Sequence, residues 1–414
     1  MITKKIEYRT YIASMIIVLL SQIICAQKSI TLADAKNLAK EKNFDLKTQN
    51  LNVLYQSKNI NTAYTMDPTQ IDSEFGQFNS TYFDIAVGIS QSFHLPQVYQ
   101  RKKDINKQKV KVSEAYMNAT EVDVHRQITE IFINYHFLEA KTKLLVEQDS
   151  LFGIFQRIAT DRYQSGETDA LAKISAEQQK MSITNELISL QNEKDILVFE
   201  LNWLLGNVGN FIPESEDFTK IPSMYVYDVT AISRHPLLLA ALQENETSIL
   251  ATQIEKSVRL PKFSLGYNNI SIRGTGPDNI IYQSGDRFHS FQFGMAIPIL
   301  NKGNNAAIQA AKIMEEVTNQ QLLSKKAALE YSVNQKNAMI QNLYKRLDRY
   351  ATFSLPNAAR LQSIAEIQYS SGDINYLEFV LLNQQAIAIK KEYLQLIHEL
   401  KITDIQLKYL TSNL

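Results

Sequence analysis

The 414-residue chain has a single cysteine, Cys25, and that scarcity removes several chemistries at once. A leader cut after Ala26 would leave no disulfide, no thiolate metal ligand and no thiol nucleophile. The six histidines, at 94, 125, 136, 235, 289 and 398, are scattered. No His-Glu-x-x-His, Glu-x-x-His or Walker loop occurs, and Gly274-x-Gly276 lacks the third glycine of a dinucleotide fingerprint. His136 and Glu139 share a helix face, but one such pair is a surface contact by default. A protein that is not an enzyme, with no cofactor and no bound metal, is expected.

Charge bias is missing too. Lys and Arg total 43 against 43 Asp and Glu, with no basic block, so the electrostatic footprint of a nucleic-acid partner is absent. Beyond the first residues there is no run of about 18 apolar residues, the length a membrane-spanning helix needs. An exported chain of this kind can cross a membrane only as a closed β-barrel, because lipid leaves no other way to satisfy every backbone group.

Export is what the N-terminus predicts. Lys4, Lys5 and Arg9 precede an apolar stretch from Tyr11 to Ile24, then Cys25-Ala26-Gln27, the pattern of a secretory signal peptide. An acylated Cys25 is the alternative processing, with Ile24 where a small residue is expected.

The mature sequence states one unit twice. Gly88 recurs as Gly294, Phe93 as Ile299, Tyr163-Gln-Ser-Gly166 as Tyr369-Ser-Ser-Gly372, and Leu201-Asn-Trp-Leu204 as Leu407-Lys-Tyr-Leu410, all at an offset of 206. A fixed period signals duplicated architecture. The organisation read from it is residues 1–26 signal peptide, 27–205 first repeat, 206–228 inter-repeat segment and 229–414 second repeat.

Each repeat carries an alternating strand. Phe83, Ile85, Val87, Ile89 and Phe93 fall on one face, and Asp84, Ala86, Gly88, Ser90 and Ser92 on the other; 206 residues on, Phe291, Phe293, Met295, Ile297 and Ile299 repeat the phase. A barrel strand needs about 9–11 such residues, although a half-buried strand of a soluble sheet alternates in the same way. Upstream partners are expected at Gln70 to Phe78, turning near Asn79-Ser80, and at Lys262 to Ile272, turning through Gly274-Thr-Gly-Pro277. That makes four strands per chain. The smallest lipid-spanning barrels have about eight, so several chains must contribute.

Helical pattern follows from about Pro96 to Ser165 and from about Asn304 to Ser371, the second interrupted only by Pro356. Nearly 70 helical residues would extend roughly 100 Å. Ile128, Ile131, Tyr135, Leu138, Thr142, Leu145, Asp149 and Phe152 step by threes and fours, as do Ile183, Leu187, Leu190, Lys194, Leu197, Leu201 and Leu204. These are coiled-coil spacings. Both runs end at a glycine suited to a left-handed helix stop, Gly166 and Gly372, before capping residues for a returning helix.

The order of leader, helical lead-in, hairpin, long helix, Tyr-x-x-Gly turn and returning helix, given twice, resembles the TolC-type outer-membrane efflux factors. The resemblance covers essentially all of the mature chain. It implies a mainly α fold whose long α-helical hairpins form an α-barrel, with four strands per chain contributing to a trimeric, twelve-stranded membrane β-barrel. It implies a homotrimer in the cell outer membrane with its helical tunnel in the periplasm. Its partners would be outer-membrane lipid, a periplasmic adaptor and an inner-membrane pump of the resistance-nodulation-division (RND) class. Phe83, Ile85, Val87, Ile89, Phe291, Phe293, Met295 and Ile297 would face lipid. Arg162, Tyr163, Gly166, Glu167 and Asp169 would form the gated, adaptor-contacting tip with Tyr369, Gly372 and Asp373. Gln368 matches Arg162, so a charged latch would use only one hairpin. The stretch Tyr369 to Val380 resembles the branch paired with heavy-metal pumps, which suggests passive efflux of metal ions, with drugs as the other cargo class. The competing readings are a non-conducting periplasmic coiled-coil scaffold and a type I protein-secretion duct.

Overall fold

A computed structural model describes residues 28–78, 80–168 and 170–411. The expected signal peptide with Cys25, and the site residue Asp169, lie outside the described residues, as does Asn79 of the expected turn.

The chain opens with β1 (Lys28–Ile30) and α1 (Leu32–Lys42), whose N-cap Thr31 accepts the Asp34 amide at 3.1 Å. Asn43 then ends the helix as its C-cap. Its Oδ1 accepts the amides of Asp45 and Leu46 at 2.9 and 3.1 Å, starting α2 (Phe44–Asn59). A short 3₁₀ turn leads to β2 (Gln70–Gly76), β3 (Asp84–His94), the 69-residue α3 (Pro96–Gln164), α4 (Ala170–Leu204) and β4 (Phe211–Pro213). Pro96 sits at the first helical position, where its missing N–H costs nothing. The second repeat runs through α5 (Pro236–Ser257), β5 (Lys262–Ser271), β6 (Gly274–Thr275), β7 (Ile281–Tyr282), β8 (Arg287–Ala296), α6 (Lys302–Arg349), α7 (Leu355–Ser371) and α8 (Tyr376–Leu410). Between α6 and α7 the helix continues through a π turn at Tyr350–Ser354. Pro356 supplies no N–H to the carbonyl four residues back and its ring crowds that carbonyl; one wider turn absorbs both effects without ending the helix.

Two compact units share these elements. One comprises Gln49–Asn118 and Pro236–Ala327 and contains a four-stranded antiparallel sheet in the order β2-β3-β5-β8. The other comprises the described parts of Met1–Thr48, Ala119–His235 and Ala328–Leu414. Its core is the heptad seam: Ile128, Ile131, Leu138, Leu145 and Phe152 are buried, with Ile183, Leu190, Leu201 and Leu204 buried from the returning helix. The polar seam position Asp149 forms an ion pair with Lys180 of the returning helix at 2.6 Å.

In the same unit β1 and β4 pair in parallel, Lys28 opposite Phe211 and Ile30 opposite Pro213, an element with no sequence signal because three residues show no period. Asn202 stands in for a further strand there, donating to the Phe211 carbonyl at 2.9 Å and accepting its amide at 2.8 Å. Gly206, at φ 76°, would place a Cβ 2.5 Å from the Lys42 carbonyl oxygen. Gly206→Ala is expected to cost at least about 1–2 kcal/mol, since left-handed strain and a backbone clash act together. Thermal unfolding of the variant measures it.

Burial lowers the pKa of His125, His235 and His398 in this unit. His398 stacks on Phe137 at 4.4 Å and bonds Asn134 at 2.6 Å. The folded state favours the neutral ring, whereas the unfolded chain takes up protons near pH 6.5. This contribution is therefore fully present above about pH 6.5 and is lost as pH falls below it. The unfolding midpoint should drop between about pH 7.5 and 5.5, less steeply in His398→Gln. An equal slope in that variant would remove His398 from the account.

Candidate functional site

Two features stand out: the two faces of the sheet and the pair of helix-hairpin turns. In antiparallel pairing, directly opposed residues share a face, so the register sorts the strands into rows. Ile71, Ile89, Tyr267 and Phe291 form one row, and Leu265 pairs with Phe293 in the next. On the reverse face run Asp72, Gly88, Asn268 and Ser290, then Gln70, Ser90, Gly266 and Gln292. Gly88 lets this face close up, because Asn268 Oδ1 lies 2.5 Å from where its Cβ would stand.

The apolar face is left open. Phe291 is 86 % and Phe293 69 % exposed; Phe83, Val87, Ile89, Met295 and Ile297 are exposed as well, and Ile85 is half-buried. Phe83 and Ile297 sit one residue outside β3 and β8. The weak first partner strand contributes Ile71 and Phe75 to this face, both exposed. β2 and β8 end the strand order, so each has one flank without a strand partner in this sheet. Among the described residues no helix is long and apolar enough to cross a membrane.

The turns follow from their glycines. Gly166 and Gly372 adopt φ 78° and 86°, and the next amides reach back to close the helices, Glu167 to the Arg162 carbonyl at 2.8 Å and Asp373 to the Gln368 carbonyl at 2.9 Å. In the second turn Asn375 and Glu378 form a reciprocal capping box at 2.9 and 3.0 Å. Arg162 brings the two turns together. Its guanidinium lies 5.1 Å from the Tyr369 ring centre and donates to the carbonyls of Tyr369 and Ser370 at 3.4 Å each. Asp373 accepts the Ser371 hydroxyl at 2.6 Å, and Glu167 stays exposed.

The repeat symmetry fails here in an instructive way. Tyr369 is 2 % exposed and stacks on Phe379 at 4.9 Å, edge-on to Phe155 at 5.3 Å and to Tyr376 at 5.7 Å. Its counterpart Tyr163 is 41 % exposed, with Lys173 over its ring at 5.4 Å. The cause is in the sequence: Ala170 and Lys173 stand where the second repeat has Tyr376 and Phe379. Burial raises the pKa of the Tyr369 and Tyr376 hydroxyls, so the cluster stays neutral. Sequence reasoning missed Phe155, Tyr376 and Phe379, although aromatics at helical spacing after Tyr369 were the available signal.

No protein-family model and no curated protein matches the sequence. Solved structures do match the fold. The outer-membrane channel OprN superposes with a TM-score of 0.78 at 13 % identity, covering 92 % of this chain and 89 % of its own. It has the fold of outer-membrane channels. The CmeC outer membrane channel of Campylobacter jejuni is similar at 0.75 and 14 % identity, over 92 % and 85 % of the two chains. CusC, described as undergoing conformational changes on folding and transmembrane channel formation, is similar at 0.75 and 16 % identity over 92 % and 91 %. The mainly helical architecture with barrel-type strands read from the sequence is thus the one observed. Among the described residues no group of three His, Cys, Asp or Glu side chains could hold a metal ion.

Proposed function

We propose that the chain assembles as a homotrimeric outer-membrane exit duct, passively conducting cargo that an inner-membrane RND pump delivers through a periplasmic adaptor. The observation that carries this is the two-faced sheet. An exposed apolar wall, a small polar reverse face and two unpaired flanks are what a barrel segment needs, with lipid outside, water inside and neighbouring chains at each edge. The channel folds it resembles support the same reading. Phe83, Ile85, Val87, Ile89, Phe291, Phe293, Met295 and Ile297 then face lipid. Arg162, Tyr163, Gly166, Glu167, Tyr369, Gly372 and Asp373 belong to the tip that meets the adaptor; Asp169 is assigned there by sequence position alone. Resemblance of Tyr369 to Val380 to the heavy-metal branch makes metal ions the first cargo to test, then drugs.

The test is conductance of the mature protein in a planar bilayer alongside its mass. Stepwise conductance from a trimer supports the duct. A soluble, non-conducting species returns the chain to the scaffold reading. Conductance also probes the tip: Arg162→Glu sets an anion against the Tyr369 and Ser370 carbonyls and removes the cation from the ring. The variant should spend more time open, and an unchanged trace would take Arg162 out of gating.

A further inference from the structure

The β3–β5 ladder ends at Ala86 opposite Ile270, and side chains take over beyond it. The Ile85 amide donates to Ser271 Oγ at 2.8 Å. Arg287 donates to the Ile85 carbonyl at 3.1 Å, and Arg273 donates to the Phe83 carbonyl at 3.3 Å. Carbonyls two residues apart on an extended chain lie about 7 Å apart, so the two guanidinium groups are anchored at neighbouring points of one segment. Neither guanidinium forms an ion pair among the described residues, and the nearby carboxylates bond hydroxyls and backbone amides instead. Asp84 accepts the Ser80 hydroxyl at 2.9 Å and the Arg273 amide at 3.0 Å, Asp278 the Tyr282 hydroxyl at 2.5 Å, and Asp286 the Gln283 amide at 2.6 Å. Each guanidinium has five N–H groups, and the carbonyl bonds leave most of them available.

On one side of this pair lies a cavity of about 570 Å³, lined by Thr81, Tyr82, Thr275 and Gln283 among others, with Arg273 its only charged residue. That volume is within the usual range for a small-molecule site. On the other side is the apolar wall, since Arg287 alternates onto the same face as Phe291 and Phe293. The surface passes from hydroxyl-lined pocket to paired cations to exposed aromatics. The geometry points to a binding site for an anionic glycolipid, its phosphate bridging Arg273 and Arg287, its sugar in the cavity and its acyl chains along the phenylalanine face. Arginine forks match phosphate oxygens two at a time. A simple phospholipid has no sugar for the cavity, and free phosphate has no use for the apolar wall. Both arginines and the cavity lining come from one chain, with Arg287, Phe291 and Phe293 on the end strand β8. It rests on the barrel reading above.

The test is native mass spectrometry of the full-length assembly in detergent with diphosphorylated lipid A, its dephosphorylated form and inorganic phosphate as competitor. The wild type should retain the phosphorylated lipid roughly tenfold more strongly than the dephosphorylated one. The double variant Arg273→Gln/Arg287→Gln should erase that preference. Equal retention of the two lipids by the wild type overturns the site, a comparison that needs no variant to fold. Displacement by phosphate at matched concentration overturns the glycolipid assignment in favour of a free-anion site. Conductance of the same preparation keeps the two readings apart: a conducting trimer without lipid preference sinks only this inference, whereas a non-conducting soluble species sinks the duct beneath it.

Discussion

A Phe291→Arg chain is expected to insert poorly. Phe291 is the most exposed of the proposed lipid-facing set at 86 %, and it shares its row with Ile71, Ile89 and Tyr267. A lipid-facing arginine costs about 2–4 kcal/mol at the bilayer midplane and about 0–1 near the interface. The same substitution at Gln292, on the reverse face, should leave insertion near wild type, because water can solvate it there. Membrane-fraction yield and resistance of the trimer to heating compare the two. Equal insertion of both variants would overturn the assigned face, and a worse result for Gln292→Arg would reverse it.

Phe379→Ala should cost about 3–5 kcal/mol, the usual range for removing a fully buried phenylalanine. The ring is 0 % exposed and contacts Phe155 at 4.1 Å and Tyr369 at 4.9 Å. The loss goes beyond packing: Tyr369, without its support, no longer presents a fixed face and carbonyl to Arg162. The variant should unfold earlier and, in a bilayer, show a less stable closed state. Lys173→Ala at the equivalent position of the first repeat is the control. It removes one half-buried cation over an exposed ring, with its 4.0 Å ion pair to Glu177, and a change within about 0.5 kcal/mol is expected. Comparable losses in the two variants would mean that the hairpins contribute alike and that the packing asymmetry has no energetic weight.

Much of this was legible in the linear order of residues. The strand phase, the four-strand count and the glycine stops at Gly166 and Gly372 all follow from local rules about side-chain alternation and backbone sterics. Three features were not. The β1–β4 pair is too short for a period to show. Pro356 reads as an interruption, because whether a helix ends or widens at a proline depends on what packs around it. The burial of Tyr369 against the exposure of Tyr163 depends on residues from Phe155 to Phe379, more than two hundred positions apart.

The sequence by itself determined that the chain is a duplicated strand-and-long-helix unit, because period, phase and turn chemistry act between near neighbours and survive without knowledge of the fold. Only the tertiary structure decided which copy of a repeated residue carries a contact. Arg162 meets Tyr369, and Arg273 and Arg287 anchor on the carbonyls of Phe83 and Ile85, because the fold brings together positions far apart in the chain. Such pairings arise from packing and register, which no local pattern encodes.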